Sequence, residues 1–188
     1  MYQGERFNSW SHLAGTVLAI AGLVTLIRVA VDSDDIWRIV SFSLYGSTLV
    51  LLYLCSTLYH CVPSGGAKAL LQKLDHSAIF FLIAGSYTPY CLVTLRGPWG
   101  WSLFGVSWSL ALFGVFYELV IGRRWEWVSL ALYLIMGWLV LVAIYPLVLS
   151  LSVPVLIWLA LGGLVYSIGV SWYLTDTKIP HRHGACHS

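Results

Sequence analysis

Charge is scarce in this chain. Only 10% of its 188 residues are Asp, Glu, Lys or Arg, too few to give a soluble domain a polar surface. The net charge is +2 with no basic run, which excludes nucleic acid as a partner. Cysteine is sparse too: Cys55, Cys61, Cys91 and Cys186 form no CxxC pair and mostly fall in or beside apolar segments, so free thiols are expected and not a disulfide framework. The opening stretch MYQGERFNSWSH lacks the distinct basic charge of an export signal. The apolar run after it is as long as a spanning helix, so the segment is read as mature structure. No repeat or low-complexity segment interrupts the chain, which is treated as a single domain over 1–188.

What the chain has in quantity is apolar surface. It is 59% hydrophobic with a mean hydropathy of +0.82, and it carries ten Trp and eleven Tyr, residues that favour the headgroup boundary. The solvent for most of this surface is therefore a bilayer. Roughly 20 apolar residues in a helix cross about 30 Å of hydrocarbon. Six runs of that kind are present: Leu13–Val31, Ile39–Tyr59, His76–Leu95, Trp101–Ile121, Trp127–Tyr145 and Pro154–Thr175. Pro146 and Pro154 edge the uncharged link between the last two. The predicted fold class is all-α, a polytopic transmembrane helix bundle with six complete spans.

The positive charges orient it. The side holding the N-terminus receives Arg6, Lys68, Lys73, Arg123, Arg124, Lys178 and Arg182, and the other side only Arg28, Arg38 and Arg96. The N-terminal side is expected to be cytoplasmic. All six histidines, His12, His60, His76, His181, His183 and His187, then fall on that side. Histidine is the commonest metal ligand and titrates near neutrality, so a shared site is the economical reading.

His183 and His187 are four apart and stack on one helix face, but a zinc site with an open position generally needs three protein ligands. His60 is the natural third, because its helix ends at the same depth. Ser56 lies one turn before His60 and faces the same way. Asp75 stands at the membrane lip, where an unpaired carboxylate is expensive and usually functional. Each has a plainer reading: Asp75 as N-cap of the third helix, Ser56 bonded back to a helix carbonyl, a histidine at a helix end as an interfacial group. Glu5, Asn8 and His12 follow spacings of three and four and share a helix face, from which they either orient ligands or cap an interfacial lead-in helix. In GSYTPY, Ser86, Tyr87, Thr88 and Pro89 either kink a helix to open a cavity or satisfy the backbone groups that Pro89 frees, and the second is preferred. Glu118 is expected to pair with Arg123 or Arg124.

GERFNSWSHLAG, STLYH, LDHSAIFFLIAGSYTPY, MGWLVL, GGLVYSIGV and IPHRHGACH, in that order and over nearly the whole chain, resemble the bacterial hemolysin III proteins, a branch of the progestin and adipoQ receptor family. The resemblance implies seven transmembrane helices with a cytoplasmic N-terminus in the bacterial inner membrane, and kinship with membrane hydrolases that include alkaline ceramidases. The sequence reaches Ser188 where a seventh helix has barely begun, so either the C-terminal helix is truncated or the chain has six complete spans with its last two ligands on a free end. The resemblance also implies a zinc cofactor held by His60, His183 and His187. Asp75 would hold the zinc-bound water and act as general base, and Ser56 would position it or stabilise an oxyanion. Glu5, Asn8, His12 and His76 would support these groups. Between the paired histidines the family commonly has AIW, whereas this chain has Gly184, Ala185 and Cys186, which lowers helix propensity there.

Two functions are expected in competition. One is a zinc-dependent hydrolase acting on lipid-like substrates or in membrane lipid homeostasis. The other is a non-enzymatic membrane regulator or pore-forming cytolysin with a structural metal. The mid-span sequences VLAIAGLV, YLIMGWLV and LALGGLVY suit helix packing better than the lining of a water-filled channel, which argues against a wide monomeric pore.

Overall fold

The structure is a computed structural model that describes residues 5–121 and 126–176. These residues form helices and turns, with no strand among them. Six helical stretches are long and apolar enough to cross a membrane: Arg6–Asp32, Ile36–Cys61, Gly66–Thr94, Pro98–Val120, Trp127–Ser150 and Val153–Val170. The multi-pass helical bundle expected from hydropathy is therefore present. The chain divides into two compact units, Met1–Ser150 and Leu151–Ser188. The second contributes α7 (Val153–Asp176), with Pro154 in its first turn, where a missing N–H breaks no helical bond.

In the first unit α1 (Arg6–Asp32) packs on α2 (Ile36–Cys61), α2 on α3 (Gly66–Pro89), and α3 on α4 (Pro98–Val120). The turn between α1 and α2 is tight. Asp34 adopts φ 52°, a left-handed conformation that Asp tolerates better than most residues. Asp35 then caps α2, its Oδ1 accepting the Trp37 N–H at 2.9 Å. More than half of the third span is buried, which makes α3 the centre of the unit. Close approach there depends on small residues: a Cβ on Gly85 would meet Thr48, and one on Gly114 would meet the ring of the fully buried Phe80.

Helix α3 begins ten residues before the boundary expected at His76. Lys68 and Lys73 had marked that boundary as charged, but both are satisfied in place. Lys68 bonds Glu5 and lies over the Tyr59 ring, and Lys73 donates to the Leu119 carbonyl at 3.1 Å. Asp75 is consequently an interior residue of α3 and not its N-cap. It stands nine positions past the helix start, or about 13 Å along the axis.

Past Pro89 the helix widens into a π turn, Tyr90–Thr94, closed by Leu95 N–H to Tyr90 O at 2.8 Å. Ser86 donates to Ile83 O at 2.8 Å and Thr88 to Ala84 O at 3.0 Å, so these hydroxyls bond back to their own helix, but neither reaches the Gly85 carbonyl, the one that Pro89 frees. The fifth span is less regular than its apolar run suggests: α5 (Glu126–Gly137) gives way to a 3-10 turn at Leu139–Ala143 and then to α6 (Ile144–Ser150). Tyr87 clamps this break. Its hydroxyl donates to Gly137 O and accepts from Val140 N–H, each at 2.9 Å.

Candidate functional site

The start of α1, the end of α2 and the first half of α3 meet at one end of the bundle. Ser9 is fully buried and donates to the His60 carbonyl at 2.9 Å, and Thr16 meets Thr57 at 3.2 Å, so the two helices are pinned by hydroxyls where apolar side chains would leave carbonyls unsatisfied. This register stacks the His12 ring on that of His60, with centroids 5.2 Å apart and planes 16° from parallel. Tyr59 also packs against His60, with ring centroids 4.8 Å apart.

Glu5, the residue before α1, organises the edge of the cluster. Its Oε2 lies 3.0 Å from His60 Nδ1, and both of its carboxylate oxygens accept from Lys68 Nζ at 2.8 Å. The Lys68 ammonium holds the Glu5 carboxyl below the usual glutamate range against the opposing effect of burial, and the bond to His60 adds to it. With Nδ1–H committed to a carboxylate, the neutral His60 ring carries its lone pair on Nε2.

Ser56 is buried on α2, one turn before His60. Deeper between α3, α4 and α5, Glu118 is 2% exposed and lies 3.3 Å from His76 Nδ1 through Oε1, while its Oε2 accepts from Ser129 Oγ at 3.0 Å. Tyr133, four residues after Ser129 on α5, donates to the His76 carbonyl at 2.8 Å.

The chain matches the family described as Haemolysin-III related over residues 1–186. It belongs to this family. It is 42% identical to the Hemolysin-3 homolog of Bacillus subtilis (strain 168), an alignment covering 98% of this chain and 86% of that protein. It is 41% identical to the Hemolysin-3 of Bacillus cereus, over 97% and 83% of the two chains. Human Monocyte to macrophage differentiation factor is 30% identical over 96% of this chain and 75% of its own length. No solved structure matches. Family membership and the six spanning helices together make this haemolysin-III-related chain a multi-pass protein of the cell membrane, with the bilayer as its partner.

Of the residues singled out from sequence, the haemolysin-III-related fold brings Glu5, His12, Ser56, His60, Asp75 and His76 to one end of the bundle. Asn8 is exposed, and the buried residue of that turn is Ser9. His181, His183 and His187 lie outside the described residues, as do Arg123 and Arg124. Among the described residues no group of three His, Cys, Asp or Glu is arranged to hold a metal ion. The chemistry of the donors present nevertheless suits one. A carboxylate on the Nδ1 side of a histidine, as Glu5 is to His60, is the usual support of a metal-ligating imidazole and leaves Nε2 to the ion.

Glu118 is the clearest residue whose contacts the sequence reading did not foresee: it lies against His76 and Ser129, while the arginines it was expected to pair with lie outside the described residues. Its helical spacing held the information. Ser107, Ala111, Gly114 and Glu118 are buried at intervals of three and four and so share the inner face of α4. Lys68 was missed because its charge was read as a helix boundary.

Proposed function

We propose that this membrane protein is a zinc-dependent hydrolase of lipid-like amides or esters, working at the cytoplasmic face where its N-terminus lies. The observation that carries the reading is His60, fixed by Glu5 through Nδ1 and stacked on His12, at the end of the bundle that also receives Ser56 and Asp75. His60, with His183 and His187, would hold the ion. Bound zinc supplies Lewis acidity and allows water to ionise near neutral pH.

The chain's own side chains account for the remainder. Asp75 accepts a proton from the attacking water as its oxygen bonds to the acyl carbon, then returns that proton to the departing amine or alkoxide when the C–N or C–O bond breaks. Ser56 orients the Asp75 carboxylate and has a hydroxyl to offer to the developing oxyanion. Substrate of this class partitions into the bilayer, from which it reaches the helix end without crossing water.

The test is hydrolysis of a fluorescent long-chain N-acyl amino alcohol by purified protein in bilayer nanodiscs. Turnover that disappears in His60→Ala is expected, and turnover retained in that variant would overturn the reading. A second reading, a lytic or regulatory membrane protein with a structural metal, is favoured by the name of the Bacillus cereus relative. Dye release from liposomes that persists without His60 would support it over the first.

A further inference from the structure

The end of the bundle opposite the candidate site carries a second polar arrangement, one that hydrolysis does not use. There the start of α2, the π turn after α3 and the start of α4 converge on Arg96. Its guanidinium lies over the Trp37 ring, 5.3 Å from the centroid, and Trp101 meets Trp37 edge-on, with centroids 5.5 Å apart and planes at 85°. A cation at such a distance is drawn to the face of an indole. Arg96 is exposed and pairs with no carboxylate among the described residues. Asp35, two positions before Trp37, is already engaged: it accepts the Trp37 N–H at 2.9 Å and lies 3.9 Å from Arg38 Nε. An arginine that only snorkels to water keeps its rotamer freedom, whereas this one is held against a ring with its charge left for a partner outside the described chain.

Depth identifies that partner. The third span, Gly66–Thr94, has 29 residues and is about 43 Å long at helical rise, which matches the roughly 40–45 Å of a bilayer with its headgroups. With Lys68 and Lys73 in the headgroup layer on the side of the candidate site, Arg96 falls in the headgroup layer on the other, where lipid phosphates lie. Trp99 and Trp101 are 54% and 51% exposed beside it, at the level where indoles settle between headgroup and acyl chain. The cleft lined by Trp37, Cys91, Leu92, Arg96 and Trp101 holds about 20 Å³, room for one water, so a ligand reaches Arg96 along the membrane surface and not through the bundle. We propose that Arg96, stacked on Trp37, binds the phosphate of an anionic phospholipid, with Trp99 and Trp101 against its glycerol and upper acyl chain. A planar guanidinium matches two phosphate oxygens at once, and the stack orders it before the lipid arrives.

The experiment counts lipid bound per chain by native mass spectrometry of detergent-purified protein titrated with phosphatidylglycerol or phosphatidylcholine. The wild type is expected to retain one phosphatidylglycerol in preference to phosphatidylcholine, and Arg96→Gln to bind it about 10-fold less tightly, the loss of one charge-assisted pair. Arg96→Lys keeps the charge but neither the flat face nor the fork, and is expected to recover only part of the difference. Arg28→Gln removes another exposed charge at the same end of the bundle, one with no ring beneath it among the described residues, and is expected to stay within about 2-fold of wild type at physiological ionic strength. Phosphatidylglycerol binding by Arg96→Gln at wild-type strength, or an equal loss in Arg28→Gln, overturns the proposal. Displacement of the bound lipid by inorganic phosphate also overturns it, because the site would then take a free anion and not a lipid.

Discussion

Glu5→Gln is the substitution that separates a supported metal ligand from a histidine that only packs. The side chain keeps its shape, but one of two acceptor oxygens becomes an NH₂ group. In the native arrangement Oε2 serves both His60 Nδ1 and Lys68 Nζ, and Oε1 serves Lys68 alone. If the amide oxygen stays on His60, the NH₂ faces the Lys68 ammonium; if it turns to Lys68, Nδ1–H loses its acceptor. Either way the ring of His60 is held less firmly. Loss of such support typically lowers metal affinity by about 10- to 100-fold, equivalent to about 1.4–2.7 kcal/mol. The effect on folding should be smaller, because Glu5 is 27% exposed and the pairs are partly screened, leaving about 1 kcal/mol or less. Competition for zinc against a chromophoric chelator reads the first quantity and detergent-titrated unfolding the second. The Glu5 carboxyl titrates below its ordinary value when folded, so its contribution to stability is present above the unfolded value and lost as pH falls through the folded one. The stability gap between wild type and Glu5→Gln should therefore close in acid. Unchanged zinc affinity in Glu5→Gln would refute the reasoning that Glu5 supports a ligand.

Two further substitutions test the scaffold. Tyr87→Phe removes a hydroxyl that satisfies Gly137 O and Val140 N–H at the break in the fifth span, and should destabilise the protein by about 1–3 kcal/mol in detergent unfolding, since a stranded group costs about 1–3 kcal/mol when fully buried and these two are half-buried. A change within 0.5 kcal/mol would mean that the break does not depend on the clamp. Gly114→Ala pushes a methyl group into the Phe80 ring and should cost about 1–3 kcal/mol, and pairing it with Phe80→Leu should recover part of the loss.

The spans were legible because bilayer thickness sets a length that apolar runs either meet or fail, and each observed helix overlaps an expected one. The grouping of Ser56, His60, Asp75, His12 and Glu5 was legible because three- and four-residue spacing fixes a helix face and charge fixes which ends lie together. What escaped was whatever depended on partners from distant sequence. Lys68 looked like a boundary until Glu5, 63 positions away, was seen to accept it. Asp75 looked like a cap because the start of α3 was drawn after the lysines. The contacts of Glu118 with His76 and Ser129 were not foreseen either, although the face it shares with Gly114 and Ala111 points inward. The break after Gly137 had no Pro or charge to announce it, and depends on a tyrosine 50 positions earlier.

The central claim is that His60 belongs to a metal centre that this chain uses for chemistry. The most direct measurement is the zinc content per chain of detergent-purified protein, by elemental analysis, with His60→Ala prepared in parallel. The account predicts about one zinc in the wild type and almost none in the variant, as expected where three protein ligands are required. Equal zinc in the two proteins, or none in either, would contradict it.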